Sequence, residues 1–419
     1  MGRNTGIAIV GAGPYGLSLA AHLARFTDDF RVFGHPMETW MTAMPRGMFL
    51  KSDGFASNLY DPDGEFTLAR YCADRGLAYA DIGAPIPLDA FAAYGVAFQK
   101  RFVPNLEQTE VARIAPAEGG GYELTLAGGE RFRAQKVVVA SGIRHYGFTP
   151  PELSGLPADI ATHSSDHGDL SRFAGKKMIV IGAGGSAIDI AGILVEKKAE
   201  VAVVTRGPKI LFQEPPAKRT LYEKLRRPMT GLGPSWKSWL ACEAPLLVHA
   251  LPRAWRVDFV RKHLGPAPPW FTREQVEGKI AHYASSSVVA AAARDGGAIV
   301  AIRGPDGDRQ IQADHIICGT GYRVDLRRLG FLDASILDAL AYADGAPRLN
   351  ARFESSLPGL YFIGAAAANS FGPLLRFAYG ARFAARRLSR HLGAKAGEPP
   401  APEAEPVMAA LDEHIRKTG

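Results

Sequence analysis

The chain has 419 residues, 47% of them hydrophobic, and a formal net charge of +7, enough to bury two cores of ordinary domain size without disulfides. Its three cysteines, Cys72, Cys242 and Cys318, stand far apart, which excludes a disulfide scaffold, a cysteine zinc site and a C-x-x-C redox pair. No run of about eighteen apolar residues occurs and the start, Met1-Gly-Arg-Asn-Thr-Gly6, lacks a signal-peptide core and the Ser or Thr that myristoylation needs, so a cytoplasmic location is expected.

The apolar run Ile7 to Val10 predicts a strand that ends in Gly11-Ala-Gly-Pro-Tyr-Gly16 and an Ala-rich helix. In this grammar Gly11 permits the tight turn, Gly13 lets the backbone approach a pyrophosphate and Gly16 brings helix against strand, so the helix N-terminus faces the phosphates. The next strand, Phe30 to Phe33, should be followed by an acid that binds adenosine ribose. Gly34-His35 stand there instead, leaving Glu38 as a substitute or as a solvated surface acid. Lys51 and Asn58 follow, each with a bland alternative: a surface lysine, and a turn asparagine ahead of Asp61-Pro62. Alternating segments around Gly119 to Gly121 and Gly128-Gly129 predict hairpins, and the strand Val137 to Ala140 ends in Ser141-Gly142.

The same order then repeats. Met178 to Ile181 leads into Gly182-Ala-Gly184-Gly-Ser186-Ala187, hairpins are expected around Gly296-Gly297 and Pro305-Asp-Gly307, and His315-Ile-Ile-Cys-Gly319-Thr-Gly321 closes the second half. One such turn is weak evidence, but two after strand-like runs point to a duplicated unit holding two different dinucleotides. The second unit reads Val201-Ala-Val-Val-Thr-Arg206, with Lys209 nearby, where an acid would favour NADH. A guanidinium binds a 2′-phosphate bidentately, so NADPH is expected. Between Arg206 and Lys279 there are 14 Lys and Arg against 6 Asp and Glu, so the basic charge is local and nucleic acid is not the expected partner. With Trp236, Trp239, Trp255 and Trp270 the stretch reads as a helical lid that steers NADPH or as a peripheral membrane contact. Asp166 with His163 and His167 lacks a further ligand at suitable spacing, so a hinge is expected and no metal. After Gly359 to Gly364 an Ala-rich helix is predicted over about Leu374 to Arg390, and the Ala, Pro and Glu tail beyond Gly393 is expected to be disordered up to a short helix near Val407 to Lys417.

These residues together resemble the two-dinucleotide-binding flavoproteins, in particular class B flavoprotein monooxygenases, nearest the ornithine/lysine N-hydroxylase and flavin-containing monooxygenase branches. The resemblance implies an α/β fold with two Rossmann-like domains, the NADPH domain inserted into the FAD domain: 1-150 as the first part of the FAD domain, 151-315 for NADPH with the basic insertion at about 207-280, 316-392 as the second part, and 393-419 as tail. It implies FAD on Gly11, Gly13, Gly16, Trp40, Ser141, Gly142, Gly364 and Asn369, the last because Ala365 replaces the usual aspartate, and NADPH on Gly182, Gly184, Ser186, Arg206 and Lys209, with Gly319 and Gly321 ending the second crossing strand. His163 falls on the histidine of the flavin-monooxygenase linker fingerprint and is counted among the cofactor-binding residues, although Pro157, Asp159 and His167 depart from it. The activity implied is oxygenation of an N, S or carbonyl centre of a small molecule by O2 through a C4a-(hydro)peroxyflavin, with Lys51 and Asn58 as candidate catalytic residues. Alternatives are an FAD-dependent NADPH reductase and a non-catalytic nucleotide-binding redox sensor. The lysine with which the N-hydroxylases anchor their amino acid would fall near Gly54, which disfavours ornithine and lysine as substrates. Oligomeric state is left open.

Overall fold

The computed structural model describes residues 3–394 except 218 and 264–266, so the tail and its expected short helix lie outside the described residues. Two parallel sheets organise the chain. In the first, Thr5–Val10 pairs in parallel with Phe30–Phe33 on one side and with Arg131–Val139 on the other. Arg131–Val139 does two jobs, and its sequence shows why. Its alternating start, Arg131-Phe-Arg-Ala, buries only Phe132 and Ala134 and extends the antiparallel hairpin through Tyr122–Leu126 to Val111–Pro116. Its continuous apolar end, Val137 to Val139, is buried on both faces and pairs in parallel with Leu360–Phe362, as a central parallel strand requires.

The second sheet has Lys177–Ile181 at its centre, between Glu200–Val204 and His315–Cys318, with Ala281–Tyr283 and Ala161–His163 at the edges, all parallel. Ser287–Arg294, Gly297–Gly304 and Gly307–Ala313 form an antiparallel meander beside it. One boundary is corrected here. The sequence placed the return to the first domain at residue 316, yet His315–Cys318 belongs to the second sheet, and the chain leaves that sheet only after this strand. The two crossing strands end in small residues alike, so the motif does not reveal which sheet each completes.

A second correction concerns the closing helix. It runs Ala381–Gly393, not from about Leu374, and is preceded by two short 3-10 turns, Pro373–Arg376 and Ala378–Gly380. Gly372 at φ +97° and the extended backbone of Phe377 interrupt the helical path. The helix then packs along Pro14–Leu23, whose small residues Gly16, Ser18, Ala20 and Ala21 are buried and permit a close approach.

The two glycine turns are steric mirror images. In the first unit a Cβ on Gly16 would collide with the Gly11 carbonyl, while the opposing strand end carries Ala140; in the second the helix carries Ala187, and the strand end opposite is Gly319, where an added Cβ would stand 2.5 Å from the Ala187 methyl. Each unit carries one methyl at this crossing, from the strand end in the first and from the helix in the second.

The basic segment folds into short helices, among them Leu221–Arg226, Trp236–Glu243, Pro245–Ala250 and Arg253–Lys262. Pro245–Ala250 and Arg253–Lys262 pack on Ala368–Phe371 of the first domain, whereas Arg273–Val276 packs back on the second-turn helix, Gly185–Glu196. Both His249 Nδ1 and Arg256 meet the Ser370 carbonyl, at 3.0 and 3.1 Å, and Arg376 donates to the Val260 carbonyl at 3.3 Å. The segment is therefore a strap joining the two domains. Among the described residues no helix is long and apolar enough to cross a membrane.

Candidate nucleotide and coenzyme sites

The first turn is built as a cradle. Gly11 has φ +121°, and a Cβ there would collide with the Ala140 carbonyl, whereas a Cβ on Gly13 would meet nothing within 4 Å. Gly13 caps the helix Pro14–Leu23 without any side-chain hydrogen bond to the first turn, so its leading N–H groups face open space, as a pyrophosphate site requires. Gly34, at φ +127°, lies against the turn, 3.2 Å from the Ala12 nitrogen at its would-be Cβ. The Met37 N–H donates to the Ala12 carbonyl at 3.0 Å, which brings Glu38, first residue of the helix Glu38–Thr42, alongside the turn. Its carboxylate meets Arg144 at 3.3 Å. Trp40 packs edge-on against Phe91, with ring centroids 4.8 Å apart. Ser141 is half-buried beside Gly142, whose φ is +72°. Gly364, at φ +74°, holds its would-be Cβ 3.5 Å from the Tyr15 ring, and the Tyr15 hydroxyl donates to the Phe377 carbonyl at 2.8 Å.

Asn369 does not join this site. Its Nδ2 donates to the Ala343 carbonyl at 3.0 Å, and the neighbouring Ser370 Oγ accepts from the Leu349 N–H.

The second turn opens on a cleft of about 3540 Å³ that takes Gly182 to Gly185, Arg206, Lys209 and Gly319 to Gly321 from the second domain and Lys51, Asn58 and Arg376 from the first. Gly182 repeats the geometry of Gly11: its φ is +131°, and a Cβ would collide with the Gly319 carbonyl. Gly184 caps Gly185–Glu196, again with no side-chain bond to the first turn, and Ser186 is half-buried within that turn. Arg206 and Lys209 are exposed just past Glu200–Val204. The Thr205 hydroxyl fixes their loop by bonding the Gly207 carbonyl at 3.0 Å and His282 at 2.8 Å.

Lys51 crosses from the first domain to the second. Its Nζ lies 2.9 Å from where a Gly185 Cβ would stand. Desolvation at the cleft draws its ammonium below the ordinary lysine value although the residue as a whole is exposed, Asp189 pulls it upward and Arg376 adds to the lowering. Asp189 is buried, one of its oxygens has no partner among the described residues, and burial pushes its carboxyl up to about 7 against the pull of Lys51. The sequence reading missed Asp189 and Arg376. For Asp189 a signal existed: a single acid inside the apolar run Ala187-Ile-Asp-Ile-Ala191 is costly unless it meets a cation.

Two candidates have other work. Asn58 donates from Nδ2 to the Phe55 carbonyl at 2.9 Å and accepts from the Leu68 N–H at 2.8 Å, which supports its turn role over a catalytic one. His163 uses both ring nitrogens, on Ser165 Oγ at 2.8 Å and the Gly321 carbonyl at 3.0 Å, and packs on Tyr322. It ties the linker to the second crossing strand, and neither ring nitrogen is left free for a cofactor. Gly54 leaves no room for a side chain, because a Cβ would press on the Ala80 carbonyl and stand 2.7 Å from the Tyr79 ring. Among the described residues no group of three His, Cys, Asp or Glu could hold a metal ion.

A model of the pyridine nucleotide-disulphide oxidoreductase family matches residues 90–229. An indole-3-pyruvate monooxygenase of Oryza sativa subsp. japonica is 29% identical over 211 residues, 48% of this chain and 48% of that protein. The chain spans about half the length, or less, of the curated relatives it matches. Among solved structures, the reduced ornithine hydroxylase of Pseudomonas aeruginosa superposes with a TM-score of 0.72 at 17% identity, covering 93% of this chain and 99% of that one. The ornithine N-hydroxylase of Kutzneria sp. 744, with reduced FAD, NADP+ and L-ornithine, gives 0.71 at 14% identity over 93% and 99%. At these identities the likeness shows the fold.

Proposed function

We propose that this chain, with the fold of the flavoprotein N-hydroxylases, is an FAD- and NADPH-dependent monooxygenase that places one oxygen atom from O2 on an N, S or carbonyl centre of a small molecule. The observation that carries the reading is the doubled, uncapped glycine turn, with the loop of Arg206 and Lys209 beside the second copy. Gly11, Gly13 and Gly16 would hold the FAD pyrophosphate, and Glu38 stands where it can take the adenosine ribose. Gly182, Gly184 and Ser186 would hold the NADPH pyrophosphate, with Arg206 and Lys209 on the 2′-phosphate. When bound, the flavin accepts hydride from the nicotinamide and activates O2. The protein's share is orientation and dryness: the strap and the aromatic wall of Phe55, Tyr60 and Tyr379 narrow the access of water to the cleft. With Gly54 closed to any side chain, ornithine and lysine are poor substrates.

The family match favours a second reading, a reductase that consumes NADPH without inserting oxygen. Its dithiol form does not fit three free, buried cysteines. Isotopically labelled O2, supplied with NADPH and a panel of amines, thioethers and ketones, separates the readings. A monooxygenase puts label into an organic product, and a reductase oxidises NADPH with none. A nucleotide sensor turns over no NADPH at all.

The proposal includes a peripheral contact with an anionic membrane. On the strap Trp236, Leu247 and Trp255 are 53%, 60% and 68% exposed, too much apolar surface for packing alone to explain, and Lys237 and Arg253 flank them. Such a face suits anionic headgroups. The protein is expected to co-sediment with phosphatidylglycerol vesicles and to leave them as salt rises, while phosphatidylcholine vesicles retain little. Trp255→Glu should reduce binding by about tenfold; equal sedimentation by both proteins would remove the membrane contact.

A further inference from the structure

Lys51 is an exception to the way charges usually meet helix ends. Its Nζ rests on Gly185, the first residue of a twelve-residue helix whose N-terminus carries partial positive charge, and cations are unfavourable there. Among the described residues no ion pair within 4 Å compensates it, and solvent reaches the residue, which is exposed. The nearest help is Asp189, a turn further along the same helix, which attracts Lys51 while keeping one buried oxygen unpartnered. The arrangement brings together the first-turn N–H groups of one domain, left without a side-chain cap, and an ammonium of the other. An anion between them would satisfy both and remove the repulsion.

Resting on the coenzyme assignment above, we infer that Lys51 is a pyrophosphate ligand supplied in trans by the FAD domain, so that NADPH clamps the two domains together. Gly185 lets the lysine lie close: a Cβ there would stand 2.6 and 2.9 Å from the Lys51 Cδ and Nζ, and the flexible side chain would have to shift. Asp189 attracts the lysine toward the turn at a distance longer than an ion pair. The inference gives Lys51 a positioning role on the coenzyme side, separate from Arg206, which addresses the far end of the same ligand.

The test uses the flavin-loaded protein and equilibrium titration with two probes, NADP+ and 2′-AMP, the second carrying the 2′-phosphate but no pyrophosphate. Lys51→Met should weaken NADP+ by about tenfold or more, as the loss of a charge-assisted contact does, and leave 2′-AMP unchanged. Arg206→Ala should weaken both. Lys51→Arg should restore much of the NADP+ affinity, and the flavin content of all variants should match the parent. Unchanged NADP+ binding in Lys51→Met, with any defect confined to the KM of an organic substrate, overturns the clamp and places Lys51 on the substrate. If the parent itself binds no NADP+, the coenzyme assignment falls and the clamp with it.

Discussion

Gly16→Ala should abolish the folded flavoprotein, while Gly13→Ala, three residues away, should fold and lose only its flavin. The difference is geometric. A Cβ on Gly16 would collide with the Gly11 carbonyl inside the closed crossing of helix and strand, and neither partner is a flexible side chain that could yield. Such overpacking against backbone belongs among the rare substitutions costing more than about 4 kcal/mol. On Gly13 the same methyl meets open space, and the residue keeps an ordinary φ of −87°. The apoprotein should therefore stay within about 1 kcal/mol of the parent apoprotein. What the methyl occupies is the space a pyrophosphate needs, and FAD should bind about tenfold more weakly or worse. Urea denaturation of the apoproteins and flavin absorbance after reconstitution read the two effects separately. A yellow, stable Gly16→Ala protein would mean that the turn is not built as described. A Gly13→Ala protein with full flavin affinity would put the pyrophosphate elsewhere.

Arg206→Ala should erase most of the preference for NADPH over NADH. The guanidinium stands just past Glu200–Val204 on a loop fixed by Thr205, and a charge-assisted contact with the 2′-phosphate contributes on the order of 1.5 to 3 kcal/mol, or about tenfold or more in affinity. NADH binding should barely change, because its ribose offers no charge at that point. The ratio of the two dissociation constants is the measurement. A ratio that survives the substitution would assign the phosphate to Lys209.

The sequence made the turns legible because their glycines answer to local backbone geometry: Gly11 and Gly182 have φ +121° and +131°, a demand that a short motif can state. The hairpins were legible for the same reason, through turn residues between alternating runs. Long-range relations were not. His315–Cys318 reads like any buried strand, and only its partners Lys177–Ile181 and Ala161–His163 assign it to the second sheet. The closing helix was drawn too early because Ala-rich composition outweighed Gly372-Pro373, whose backbone breaks the run. Asn369 and His163 were assigned by resemblance to a ligand, yet their hydrogen bonds go to Ala343 and Gly321, carbonyls supplied by distant segments. Lys51 over Gly185 is of the same kind, since nothing near either residue in sequence announces the other.

The exchanged methyl at the two crossings limits how this gene can be recombined. Ala140 faces Gly16, and Gly319 faces Ala187, so each turn is matched to its own strand end across a long stretch of chain. A chimera that brings the first strand end into the second half would put an alanine at Gly319, with its methyl 2.5 Å from that of Ala187, whereas in the first half a methyl on Gly16 would run into the Gly11 carbonyl. The second turn and its crossing strand therefore have to be exchanged as one piece.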